Sequence, residues 1–195
     1  DPEMTNVVLA EFRAAGADGT AQDKNNLWAN AVLAFGTDRL KADFIRPLLL
    51  GDVGMCLLYS EPGAGSDLAG LAAKAERDGD EWIVTGQKVW TSLGQTADYG
   101  MLIARTDPDL PKHQGITYFA LDMKSEGVEV RPLRQITGEA EVNEVYLTDA
   151  RVPDANRIGD RGEGWRVSLT TLMNERASIG GGGGGGGKNL RHRDG

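Results

Sequence analysis

Two short segments carry the residue types best suited to chemistry. The first, Leu57-Leu-Tyr-Ser-Glu-Pro-Gly-Ala-Gly-Ser-Asp67, is an apolar run that breaks into a glycine-rich turn bearing the hydroxyls of Ser60 and Ser66. Gly63 and Gly65 permit positive φ and a close approach of backbone N–H groups to a ligand, and such amides with serine hydroxyls suit a pyrophosphate or a carbonyl. A tight turn between domains would use the same residues. No Gly-Lys-Ser/Thr follows, so the turn is not a P-loop; Leu68 stands where a dinucleotide fingerprint has its last glycine. The second segment, Gly86-Gln-Lys-Val-Trp-Thr-Ser92, ends a strand. Trp90 beside Thr91 and Ser92 offers a flat apolar surface and hydrogen-bond partners to a planar heterocycle. A lone tryptophan on a strand is more often core.

Composition removes other chemistries. The chain has 195 residues and a net charge of -8, so a phosphate backbone is repelled unless basic residues are concentrated. The densest basic group, Lys188, Arg191, His192 and Arg193, is short and follows a glycine run. Nucleic acid is therefore not an expected partner. Cys56 is the only cysteine, so no internal disulfide forms. With His113 and His192 far apart in sequence, no metal site is expected. The apolar stretch 55–59 is too short to cross a bilayer, and the acidic opening Asp1-Pro2-Glu3 is not a signal peptide. These features predict a soluble cytoplasmic protein.

Three zones must position the two segments. Residues 1–52 read as helical. Val7, Val8, Leu9, Phe12 and Ala15 form one stripe before Gly16; Leu27, Ala31, Val32 and Phe35 form another before Gly36. Thr37 can cap a third helix, with Asp38 at its positive end and Leu40, Phe44 and Leu48 on one face. Pro47 is expected to kink or shorten it, and Gly51-Asp52 to close it. Over 53–160 the period becomes alternating. Segments 72–77 and 81–85 flank Asp78-Gly79-Asp80, a hairpin signal. Further strands are predicted at 88–92, 99–106, 116–123, 128–133 and 141–148, with an exposed loop at 107–115. Short strands at this spacing predict an α+β fold whose centre is an antiparallel β-barrel or sandwich. Residues 161–195 turn helical again through Trp165, Val167, Leu169, Leu172, Met173 and Ile179. Eight glycines then occupy 180–187; they match GxGxxG trivially and read as a flexible linker.

Taken together, the two segments resemble the middle domain of the acyl-CoA dehydrogenase family. The likeness extends through Phe35-Gly-Thr-Asp-Arg-Leu-Lys41, Arg46-Pro-Leu-Leu49, Leu102-Ile-Ala-Arg-Thr-Asp107, Asn143-Glu-Val145, Val152-Pro153 and Gly162-Glu-Gly-Trp165, in order, over roughly residues 28 to 180. The resemblance implies FAD as cofactor and dehydrogenation of an acyl-CoA to the trans-2-enoyl-CoA. It implies flavin-ring contacts at Leu57, Tyr59 and Ser60, and places Ser66 by the pyrophosphate and the acyl-CoA. Trp90, Thr91 and Ser92 then lie along the ring, the Ser92 hydroxyl near the hydride-accepting nitrogen. Many relatives carry threonine at the places of Ser60 and Ser92; serine keeps the hydroxyl and loses a methyl.

In most of the family the base lies in a C-terminal helical domain, and the chain ends where that domain would begin. A minority place it one residue before an arginine on the helix after the β domain. Asn174-Glu175-Arg176 resembles that arrangement, making Glu175 the candidate base and Arg176 a residue near the acyl-CoA. A solvated Glu beside Arg is the competing reading, since adjacent residues do not share a helix face. Met173 departs from the pattern, which often has aspartate there. The resemblance further implies an electron-transfer flavoprotein as partner, a dimer or tetramer, and a matrix location if the source is eukaryotic. A nitroalkane-oxidase-like flavoprotein or a non-catalytic partner subunit is the alternative function.

Overall fold

The structure, a computed structural model, describes residues 21–181 and positions 7, 10, 11, 14 and 15 before them; side chains within the longer span are described for 28–174. The helix expected over Val7 to Ala15 lies largely outside the described residues. Within residues 21–181 the sheet is preceded by the helices α1 (Ala21–Phe35) and α2 (Asp38–Leu50). The α2 boundaries follow from local chemistry. Thr37 accepts a hydrogen bond from Leu40 N at its Oγ1 (3.3 Å), and Gly51 closes the helix at φ 76°. Leu40, Phe44 and Leu48 are its buried face. Pro47 does not shorten α2. It sits in the last turn, where its missing N–H leaves only the carbonyl of the exposed Asp43 to solvent.

Seven strands follow: β1 (Met55–Leu58), β2 (Lys74–Asp78), β3 (Glu81–Ser92), β4 (Tyr99–Arg105), β5 (Ile116–Asp122), β6 (Val128–Leu133) and β7 (Val142–Pro153). Helix α3 (Gly164–Gly181) comes after them. It includes Gly180 and Gly181; the other six glycines of the run lie outside the described residues. Asp78 pairs with Glu81 across Gly79-Asp80, and only Gly79 has positive φ (64°), the pattern of a II′ hairpin turn.

The expected α+β fold is present, its sheet curled into a half-barrel; the one difference is that the sheet is mixed rather than wholly antiparallel. β1 runs parallel to β4 and β2 meets the far end of β4 in parallel, while β2–β3, β3–β7, β6–β7 and β4–β5 are antiparallel. Alternation along a strand reports which face a residue takes, not which strand lies beside it.

Two apolar clusters fill the two faces. Met101, Ile103, Ile116, Tyr118 and Ala120 face α1, α2 and α3. Leu102, Ala104, Phe119 and Leu121 face the curled interior with Trp82, Val84, Val145 and Leu147. β4 and β5 are thus apolar on both sides, as strands covered on both faces must be. Trp82 is anchored by Nε1 donating to Asp154 Oδ1 at 2.8 Å, with its ring 5.5 Å from that of Phe119. Among the described residues no helix is long and apolar enough to cross a membrane.

Candidate functional site

The fold brings the two chemical segments side by side. Val89 N, in β3, donates to Ser60 O at 2.9 Å, just past the end of β1. Beneath that contact Lys88 Nζ donates to Tyr59 O (3.1 Å) and to Glu61 Oε1 (2.7 Å). Lys88 is wholly buried and Glu61 nearly so. Burial pushes the Lys88 ammonium down to about 8, the Glu61 carboxylate offsetting part of the fall. Glu61 also accepts from Ala72 N (2.7 Å) and Ala73 N (3.0 Å), at the entry to β2.

Glu61 and Ala64 exchange backbone hydrogen bonds of 2.9 and 3.1 Å, which makes the turn tip a closed unit. Neither Gly63 nor Gly65 has positive φ, so that part of the expected reason for these glycines does not hold. A Cβ on either would meet nothing within 4 Å. Packing within the chain therefore does not require glycine there; what a side chain would occupy is open space beside the backbone. Ser66 is exposed, and Asp67 next to it receives Lys112 Nζ at 2.8 and 2.9 Å from the 107–115 loop.

Tyr59 turns inward. Its hydroxyl lies 2.9 Å from that of Tyr118, which lies 3.5 Å from Thr171 Oγ1 on α3. Burial holds the Tyr118 phenol well above its ordinary pKa. Leu57 and Ser60 are half-buried.

At the other segment the β3–β7 register slips between Lys88 and Thr91. An extra residue there exchanges the faces. Trp90 takes φ 60° and is 67% exposed; Leu93 takes φ 62° and is 43% exposed. Trp90 is not core, and its left-handed backbone is a strained conformation for a bulky residue. Ser92 shares its exposure, whereas the Thr91 side chain is buried on the opposite face. Asn143 of β7 fastens this corner, donating through Nδ2 to Thr91 O (2.9 Å) and Gln95 Oε1 (2.5 Å). Thr91 Oγ1 and Asn143 Oδ1 are both buried without a hydrogen-bond partner.

The structure thus groups Leu57, Tyr59, Ser60, Trp90, Thr91 and Ser92, with Ser66 at the end of the same turn. Glu175 and Arg176 fall within α3, their side chains outside the described set. Sequence reasoning gave no role to Glu61, Lys88 or Asn143. For Lys88 a signal existed: Trp82 and Val84 face inward, and the same parity reaches 88. A cleft of about 660 Å³ lies elsewhere, between the α1–α2 junction and the start of α3. Its Arg39 is already bound to Ala155 O, Asn156 Oδ1 and Asp43, and its lining mixes both charges, so no ligand chemistry is marked out there.

Comparison with known proteins defines the class. Residues 56–150 match the family description "Acyl-CoA dehydrogenase, middle domain". Acyl-CoA dehydrogenase FadE34 of Mycobacterium tuberculosis is 50% identical over 151 residues, 77% of this chain and 21% of that protein. Acyl-CoA dehydrogenase IpdE1 of the same organism is 42% identical over 164 residues, 84% of this chain and 43% of that protein. A solved structure, the Tcur3481-Tcur3483 steroid ACAD, superposes with TM-score 0.75 at 36% identity, covering 79% of this chain and 40% of that one. The chain belongs to the acyl-CoA dehydrogenase family and carries its middle domain. It spans less than half the length of these relatives.

Proposed function

We propose that this chain supplies the flavin- and thioester-binding β domain of an FAD-dependent acyl-CoA dehydrogenase. One observation supports this most: the Ser60 and Trp90–Ser92 segments, distant in sequence, lie together along one edge. Among the described residues, no hydrogen bond, ion pair or ring contact uses the Ser66 or Trp90 side chain, and none requires glycine at 63 or 65. Gly63 and Gly65 leave backbone uncovered, Ser66 is exposed, and Trp90 holds a strained conformation with its ring in solvent. A flat ring with a pyrophosphate tail uses each of these.

Leu57, Ser60, Trp90 and Ser92 are the side chains placed to hold the ring. Tyr59 and Thr91, being buried, act through the main chain and the packing beneath. Ser66 and the Gly63–Gly65 backbone serve the pyrophosphate and the acyl-CoA. FAD, when bound, supplies the redox chemistry by accepting the β-hydride. The protein must remove the α-proton of the thioester, which requires a carboxylate held away from water. Glu175 is our assignment for that base. Position 175 comes one turn after the buried Thr171 on α3. Its carboxylate takes the α-proton while Cα and Cβ become doubly bonded. Arg176 lies by the acyl-CoA, and an electron-transfer flavoprotein removes the electrons. The assembly is a dimer or tetramer in the cytoplasm.

The test is anaerobic. Full-length protein carrying this segment should be yellow, and one member of an acyl-CoA panel (straight-chain, branched and steroid-bearing) should bleach it. Glu175→Gln should stay yellow and not bleach. A folded, flavin-loaded protein that no acyl-CoA reduces would overturn the reading.

A further inference from the structure

We infer that the buried Glu61–Lys88 pair positions the flavin-facing edge: it orients the Tyr59–Ser60 peptide and locks the glycine-rich turn against β3. The inference rests on the flavin reading above and adds two residues to it. Neither touches the open edge. They act through what they hold.

The geometry is specific. Lys88 spends its donors on Tyr59 O and Glu61 Oε1, and Glu61 accepts from Ala72 N and Ala73 N. One pair therefore ties together the end of β1, the turn, the entry to β2 and the middle of β3. A trans peptide is planar, with its C=O and N–H on opposite sides. With the Tyr59 carbonyl drawn down to Lys88, the Ser60 N–H is turned to the side away from Lys88. The next carbonyl, Ser60 O, is held by Val89 N. Both peptides around Ser60 are fixed from below, one residue from Trp90, and the closed Glu61–Ala64 turn follows directly.

A buried ion pair is a poor choice if stability were its only task. Desolvating both charges is costly, and apolar residues of similar volume often serve as well or better. Apolar side chains could fill the same space but could not hold a carbonyl and two amides in fixed directions. The buried pair supplies direction.

The experiment uses full-length protein, stripped of flavin and titrated with FAD by fluorescence, with amide hydrogen exchange read on the flavin-free form. Lys88→Met should weaken FAD binding by about tenfold or more, a loss of about 1.4 kcal/mol, and speed exchange at Ala72, Ala73 and Val89. Glu61→Gln/Lys88→Met removes both charges and keeps an acceptor for one of the two amides, Ala72 N or Ala73 N. It should recover most of the thermal stability while FAD binding stays about tenfold weak. If stability and affinity return together, the pair is structural only and the inference falls. It also falls if Lys88→Met binds FAD within about twofold of the parent. Should the parent bind no FAD at all, the flavin reading fails instead, and unchanged exchange at the three amides would then sink the positioning role separately.

Discussion

The floor and the rim of the candidate site are built on opposite principles. On the floor, Glu61, Lys88, Tyr59 and Tyr118 are buried and hydrogen-bonded to one another or to the main chain. On the rim, Gly63, Gly65, Ser66 and Trp90 are exposed, and among the described residues a Cβ at either glycine meets nothing within 4 Å. The floor is explained by the chain itself. Under the proposed function the rim serves a ligand outside the chain. A residue whose type internal packing does not demand, held in place by residues whose types it does, is what a preorganised binding edge requires.

Substitutions that should behave oppositely test this contrast. The largest effect belongs to the floor. Lys88→Met leaves the Glu61 carboxylate buried without its partner and should cost about 3–5 kcal/mol in denaturant unfolding. Trp90→Ala on the rim should stay within about 1 kcal/mol of the parent while FAD affinity drops. Equal losses at the two sites would erase the distinction.

Glycines offer a second pair. A Cβ at Gly86 would lie 2.5 Å from Ala73 Cβ and 2.7 Å from Ala73 Cα, so Gly86→Ala should destabilise by about 1–3 kcal/mol. Gly65→Ala meets no atom within 4 Å and should shift stability by about 0.5 kcal/mol or less. Its effect should appear in ligand affinity. A Gly65→Ala protein that unfolds more easily than Gly86→Ala would reverse the assignment of the two surfaces.

The pH dependence of stability sharpens the floor further. Lys88 sits at about 8 in the folded chain against an ordinary 10.5, because burial disfavours its charge; Glu61 is the carboxylate that faces it. Between those values the unfolded chain binds the extra proton, so this group's contribution to stability rises with pH across that window. The slope is at most about 1.4 kcal/mol per pH unit. It should vanish in the Glu61→Gln/Lys88→Met protein, measured as unfolding midpoints from neutral to alkaline pH. The smallest effect is a null one. Cys56 is buried in β1 with its thiol pushed up to about 12 by burial, so an alkylating reagent should label it only once the protein is denatured.

Much of the scaffold was legible residue by residue. The Thr37 cap, the Leu40–Phe44–Leu48 face, the Gly79 turn and the strand at 128–133 are local signals, settled within a few positions. The motifs at Ser60 and Trp90 were legible too, and so was the family. Tyr59 and Thr91 show the limit. Both stand within those motifs, yet their side chains face inward, because strand alternation gives each residue a face only once register is known. Trp90 shows it more sharply. Parity with Trp82 and Val84 would put it in the core, and the slip in register against β7 turns it out.

By itself the sequence determined which segments are helical or extended, where they turn, and which two stretches hold hydroxyls, glycines and a tryptophan in the order of an acyl-CoA dehydrogenase middle domain. Those are properties of neighbours along the chain. Only the tertiary structure decided that β1 lies parallel to β4, that Ser60 meets Val89, that Lys88 is buried on Glu61, and that Trp90 faces out. Each of these depends on a contact between residues tens of positions apart. Such contacts are chosen by how whole faces pack, and short-range pattern carries no record of that choice.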